Sequence, residues 1–305
     1  MALHNFPMPG RRFVIGVPYV WLLFFFFLPF LILLYISFVD MGADLNPFKP
    51  IWNSQTGLLQ LKYENYWSIF RNSDGGALFD TIYIEAYIRS IWYAACTAVL
   101  CLIIGYPFAY FIARARASIR PALLMMVMLP FWTSFLLRVY AWKGILSDQG
   151  VLNQALMWLG ITSEPILMLY TNVSLLVGMT YVYLPFMVLP LYATLVKLDY
   201  RLLEAAYDLG TSPFKAFWLV TVPLSKAGIV AGFMLVFIPC VGEFVIPSLL
   251  GGHENIMIGR VVWDEMFTSN NWPRASALAV VMIGLIVVPL ALYYYFAAKS
   301  PESQK

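Results

Sequence analysis

Charge is scarce in this chain. Only 11% of its 305 residues are Asp, Glu, Lys or Arg, against 61% hydrophobic, and the mean hydropathy is +0.76. Soluble domains carry about a quarter charged residues, so the scarcity places the chain in a membrane. Cysteine is scarce too. Cys96, Cys101 and Cys240 all fall in apolar runs, which excludes a disulfide framework and leaves three small buried hydrophobes. The two histidines, His4 and His253, have no neighbours at metal-ligand spacing, so no metal site is expected. The net charge of +3 is small and dispersed, which argues against nucleic acid as a partner. No G-x-x-x-x-G-K-[ST] phosphate loop occurs, so a chain driven by ATP would rely on another subunit to hydrolyse it. No nucleophile–base set and no internal repeat is present. The first absence argues against a membrane-embedded enzyme, the second against a self-sufficient secondary transporter.

What the chain has is long apolar runs. Six segments, 13–39, 86–113, 121–142, 172–196, 226–250 and 275–298, are long enough to cross a bilayer as helices. This predicts an all-α integral membrane protein forming a single transmembrane domain over 1–305. The first run follows Arg11 and Arg12. It is too long for a signal-peptide core and lacks a small-x-small cleavage site, so it reads as an uncleaved span bent at Pro18 and Pro29. Residues 40–85 form the longest polar stretch, with turn signals at Asn46-Pro47, Lys49-Pro50 and Asp74-Gly75-Gly76. A short amphipathic helix is expected within 60–70, and the segment should lie on the membrane face. The stretch 151–159 is too short to span and reads as a re-entrant or surface helix.

Six spans put both termini on one side, and basic residues choose the side. With the termini, the Arg114–Arg120 loop and the 197–226 loop on the cytoplasmic face, that face holds 11 of 19 Lys and Arg but 4 of 16 Asp and Glu. This is the positive-inside asymmetry, and it makes 40–85 periplasmic.

One charged, turn-rich segment, 197–225, separates two long apolar runs. Residues 200–209 contain helix formers in an amphipathic pattern. Gly210 fits the position just past a helix end, where positive φ is needed. Ser212 then caps a second helix with Pro213 in its first turn, and Pro223 is expected to end it. Small Ala205 and Ala206 would let another protein approach closely. Glu204 and Asp208 are carboxylates at i, i+4. The pair reads either as a docking contact or as a plain solvated helix face, and its place in this segment favours docking.

The pattern Glu204-Ala205-Ala206, three residues, Gly210, nine residues, then Val220-Thr221-Val222-Pro223 resembles the EAA loop of binding-protein-dependent ABC importer permeases. Val220 and Val222 stand where that family often has Ile and Leu. The resemblance extends over nearly the whole chain. Asn65-Tyr66 and Gly105-Tyr106-Pro107-Phe108-Ala109 are similar to the family at large. Leu129-Pro130-Phe131-Trp132-Thr133-Ser134, Arg138-Val139-Tyr140-Ala141-Trp142, Gly242-Glu243-Phe244-Val245-Ile246-Pro247 and Met257-Ile258-Gly259-Arg260 resemble its spermidine/putrescine branch, most closely the putrescine permeases.

The resemblance implies a type I importer (MetI-like) permease fold, a five-helix core over 86–298 preceded by one helix, in a bacterial inner membrane. It implies two related permease subunits, two ATPase subunits carrying ATP and Mg, and a periplasmic binding protein that delivers a polyamine. This chain would bind no cofactor itself. Glu204, Ala205, Ala206, Asp208, Gly210 and Pro223 would couple it to the ATPase.

The remaining candidates concern the path. Glu243 is the one acidic residue deep in any of the six runs, a functional candidate because an unpaired carboxylate in lipid is costly. It would meet a substrate ammonium, or else form a structural hydrogen bond or a pair with Arg138. Trp132, Tyr140, Tyr181 and Tyr183 could hold an ammonium over their rings, each worth about 0.5–2 kcal/mol. For any one of them, interfacial anchoring is the stronger reading. Gly228, Ala231 and Gly232 read as close helix packing.

Overall fold

The computed structural model describes residues 8–42, 47–53, 58–70, 81–252 and 254–298. His4, Asn46, Asp74-Gly75-Gly76, His253 and the polar tail lie outside these. In chain order, α1 (Met8–Leu22) runs through a π-helical turn (Leu23–Phe27) into α2 (Leu28–Ser37). A two-residue antiparallel pair, β1 (Trp52–Asn53) with β2 (Leu58–Leu59), and the short helix α3 (Glu64–Trp67) follow. Next come α4 (Thr81–Arg114), α5 (Arg120–Met128), a 3₁₀ turn (Leu129–Trp132), α6 (Phe135–Leu146), α7 (Val151–Trp158) and α8 (Asn172–Leu195). The loop region holds α9 (Arg201–Asp208), α10 (Pro213–Ala216), a π turn (Phe217–Thr221) and α11 (Val222–Leu224). The chain continues as α12 (Lys226–Val241), α13 (Val245–Leu250), α14 (Ile258–Trp263), a π turn (Asp264–Thr268) and α15 (Trp272–Ala298).

Among the described residues, three helices are long and apolar enough to cross a membrane: 13–37, 82–114 and 172–195. The number rises to five if two bent pairs each count as one span. The first of those pairs corrects the sequence reading. The third run is two helical pieces meeting at 87°, and the helix leading into the fifth meets it at 67°.

The chain packs as two units, residues 1–84 with 262–305, and residues 85–261. In the first, α2 lies against α15. The expected short helix is there as α3, and it shows why Asn65-Tyr66 stands where it does. Asn65 Nδ2 donates to the carbonyls of Ser37 (2.9 Å) and Val39 (2.8 Å), and Tyr66 Oη meets Ser37 Oγ at 2.6 Å. The first carbonyl ends the first apolar helix, where it has no intrahelical partner, and the second lies just past the helix cap. Asp40, just beyond, faces Lys62 at 3.2 Å and Lys49 at 3.5 Å. Burial pushes its carboxyl up, but the two ammonium groups outweigh burial and hold it below its usual value.

The second unit is built on α12 against α8. Close approach is what the small residues of α12 provide. A Cβ on Gly228 would meet Thr194 Oγ1 at 2.6 Å and the Pro190 carbonyl at 2.9 Å, and one on Gly232 would meet Met187 Sδ at 2.7 Å. The short helix α7 is pinned by buried Asn153. Its Nδ2 donates to the Ser147 and Ile166 carbonyls, and its Oδ1 accepts from Ile166 N–H at 2.9 Å.

Candidate functional site

The segment 197–225 forms the helix–bend–helix its spacing predicts. Leu203 buries the inner face of α9, while Glu204, Ala205 and Asp208 are exposed and Ala206 is half-buried. Gly210 adopts φ +81°. Its N–H donates to the Tyr207 carbonyl (2.8 Å) and that of Thr211 to the Ala206 carbonyl (3.0 Å), the paired bonds of a Schellman ending. Ser212 caps α10, its Oγ accepting from Lys215 N–H at 3.5 Å, with Pro213 in the first turn.

The helical stretch that begins at Pro213 runs to Leu224, one residue past Pro223. Pro223 lies in the last turn of that stretch, just after its π-helical turn, and the chain turns at Ser225. Around the bend, Leu209 (86% exposed) and Phe214 (74%) stand in the open together with Trp218.

What fixes this segment to the spans was not read from the sequence. Tyr106 and Tyr110, one turn apart near the end of α4, both meet Phe217 edge-on, with centroids 5.4 and 5.8 Å apart. Tyr106 Oη lies 2.8 Å from Ser225 Oγ at the 67° turn. The Arg114 guanidinium lies over the rings of Tyr110 (4.5 Å) and Tyr200 (5.2 Å). The i, i+4 tyrosines at the basic end of the second span were the available signal.

The second feature is the break in the fifth run. Its helix stops at Val241 and restarts at Val245, and Glu243 sits in the gap. Glu243 as a whole is 9% exposed. Oε1 accepts from the N–H groups of Phe244 (3.1 Å), Val245 (3.0 Å) and Ile246 (3.4 Å). Oε2 accepts from Tyr183 Oη at 2.5 Å. Three orphan donors of a restarting helix and one phenol thus solvate the charge.

The alternative pairing with Arg138 is not found. Arg138 lies over the rings of Phe131 (5.1 Å) and Phe135 (5.9 Å), and its Nε and Nη1 are buried without a hydrogen-bond partner. The third run breaks where Thr133 (φ −95°, ψ 153°) and Ser134 (φ −55°, ψ 135°) are extended, just after Pro130. Arg138 therefore belongs to α6, beyond the break, instead of to one continuous span.

The path candidates separate accordingly. Tyr183 joins Glu243 in the interior. Tyr181, two residues away on α8, meets Trp142 edge-on at 5.4 Å. Trp132 (74% exposed) and Tyr140 (54%) stand clear of both.

Comparison with known proteins decides the class. Residues 4–300 match the family described as the binding-protein-dependent transport system inner membrane component. The chain belongs to that family. It is 36% identical over 285 residues to the spermidine/putrescine transport system permease protein PotB of Haemophilus influenzae, covering 93% of each chain. It is 37% identical to PotB of Escherichia coli K12, covering 93% of this chain and 96% of that one. A solved bacterial ABC transporter involved in import of the acidic polysaccharide alginate shares the fold, with TM-score 0.64 at 15% identity over 96% of this chain and 97% of the other. A second structure of an alginate transporter, in complex with a pentasaccharide-bound periplasmic protein, aligns with TM-score 0.62 at 17% identity over 95% of each chain. The all-α importer-permease fold expected from the sequence is thereby borne out, and the chain is a component of an inner membrane transport system.

Proposed function

We propose that this chain is a pore-forming subunit of an ATP-driven importer that moves a polyamine, putrescine or spermidine, from periplasm to cytoplasm by alternating access. The observation that carries this reading is the 36–37% identity to spermidine/putrescine permeases along 93% of the chain. In this reading a second, homologous permease subunit completes the pore. Two ATPase subunits hold ATP and Mg, and a periplasmic binding protein delivers the substrate.

The bend of 197–225 is the ATPase-facing surface, with Glu204, Ala205, Ala206, Asp208 and Gly210 presented by α9 and its ending. Pro223 sits beside the 67° turn into the span. The exposure of Leu209 and Phe214 on that bend supports the assignment, because solvent-facing apolar side chains clustered at a turn fit a surface that a partner covers. Six spans follow if each bent pair is one crossing and α15 is the sixth, with 86–298 as the five-helix core. Both termini are then cytoplasmic and 40–85 periplasmic. Trp132, Tyr140, Tyr181, Tyr183 and Glu243 are the path candidates. Glu243 would meet an ammonium through Oε2, in exchange for Tyr183.

The test is uptake of labelled putrescine and spermidine into a polyamine-uptake-deficient bacterium expressing this chain with its three partner components. Saturable, ATP-dependent uptake is expected. Uptake of a different small solute, with none of either polyamine, would refute the substrate and leave the permease.

A further inference from the structure

Two cavities lie in sequence along the seam between α4 and α5. The first is about 350 Å³ and apolar. Phe108, Phe111 and Ile112 from α4 and Leu123, Met126 and Val127 from α5 form much of its wall, and Pro130 and α8, including Tyr181, close the rest. The second is about 300 Å³, lined by Arg114, Arg120, Tyr200, Leu203, Glu204 and Tyr207. The step from one to the other is short. Ile112 and Arg114 are two residues apart on one helix, and Arg120 and Leu123 are three apart on the next, about 3–5 Å of helical rise. An apolar hole inside the span thus lies within a few ångströms of helical rise of a polar hole at its basic end, where the helix finishes at Arg114.

The cations of the polar cavity lack anionic partners. No ion pair among the described residues involves Arg114, Arg116 or Arg120. Arg114 is held over two tyrosine rings, and Arg120 Nε donates to the Ala115 carbonyl at 2.8 Å. Both guanidiniums are therefore positioned with donors left over. Glu204 contributes one carboxylate to the same wall, and two guanidiniums outnumber it.

We infer that the α4–α5 seam binds one anionic phospholipid, with its phosphate headgroup between Arg114 and Arg120 and an acyl chain in the apolar cavity. The chemistry matches at both ends. Guanidinium groups at the end of a spanning helix pair with lipid phosphate, and basic pockets between spans take anionic headgroups. An acyl chain matches the apolar lining of the first cavity. A free phosphate would use only the polar end. The occupied site would also brace α9, because Tyr200, Leu203, Glu204 and Tyr207 form one wall of the headgroup cavity.

The test is lipid binding to the purified full-length chain, read by native mass spectrometry during titration with phosphatidylglycerol or phosphatidylcholine. The first phosphatidylglycerol should bind about tenfold or more tightly than phosphatidylcholine. The double variant Arg114→Gln with Arg120→Gln should lose the preference. Met126→Trp, which keeps both arginines and blocks the exposed mouth of the apolar cavity, should weaken phosphatidylglycerol at least about threefold. Millimolar inorganic phosphate should not displace the lipid. An unchanged preference in the double variant, unchanged binding to Met126→Trp, or displacement by inorganic phosphate would each overturn the inference.

Discussion

At the scale of single residues, Glu243 and Arg138 show opposite solutions to holding a charge among apolar helices. Glu243 is solvated by its own chain and one tyrosine. Arg138 keeps two buried nitrogens without a hydrogen bond and rests on aromatic faces. The two residues should therefore respond independently. In thermal unfolding of the purified chain, Arg138→Gln and Glu243→Gln should add to within about 0.5 kcal/mol. Tyr183→Phe and Glu243→Gln should be coupled by about 0.5–3 kcal/mol, because they share one hydrogen bond. A coupled Arg138–Glu243 cycle would revive the ion pair the structure lacks. Glu243→Gln keeps an oxygen for the three N–H groups, so it should insert and fold while lowering polyamine uptake. Glu243→Ala leaves those donors bare, and should lose about 1–3 kcal/mol of stability as well.

At the scale of elements, the bend at Gly210 is the clearest case of local sequence dictating local shape. A Cβ there would meet nothing within 4 Å, so space does not require glycine; φ +81° does. Gly210→Val should cost more than about 1 kcal/mol locally, while Gly210→Asn, which tolerates that region, should cost less. Co-purification of the ATPase should fall with Val and largely persist with Asn. Equal recovery for both would show that the bend is not needed.

The same elements show how far the sequence was legible. The loop was readable because capping and turn chemistry act over five or six residues: Gly210, Ser212 and Pro213 each carry their own reason. The breaks in the third and fifth runs were not. A hydropathy window sums apolarity without regard to backbone direction, so two pieces at 87° look like one span. Proline gave no help. Pro185 and Pro190 lie inside an unbroken α8, whereas Pro130 precedes a break. The run 226–250 reads as one helix through Gly242, yet the helix stops at Val241 and restarts at Val245. Tyr183 was a candidate for its ring, but its role as donor to Glu243 needs the packing of α8 on α12, which spacing along one chain does not encode.

At the scale of the whole molecule, the distribution of basic residues is the argument for orientation. With Cys96, Cys101 and Cys240 replaced, a single cysteine at Ser212 should resist a membrane-impermeant thiol reagent in intact cells. One at Glu64, whose side chain is 83% exposed, should react. The reverse pattern would turn the molecule over and remove the bend from the side where ATPases act. The capped gap at Glu243 has a consequence of another kind, in how such a chain enters a bilayer during synthesis. A carboxylate in a nascent span normally needs a polar group from elsewhere, so its insertion has to wait for that group. Here three of the four donors belong to the next three residues. The charge is sheltered once that single turn coils, with no partner subunit required. The fifth span thus carries into the membrane most of the solvation its one acid needs.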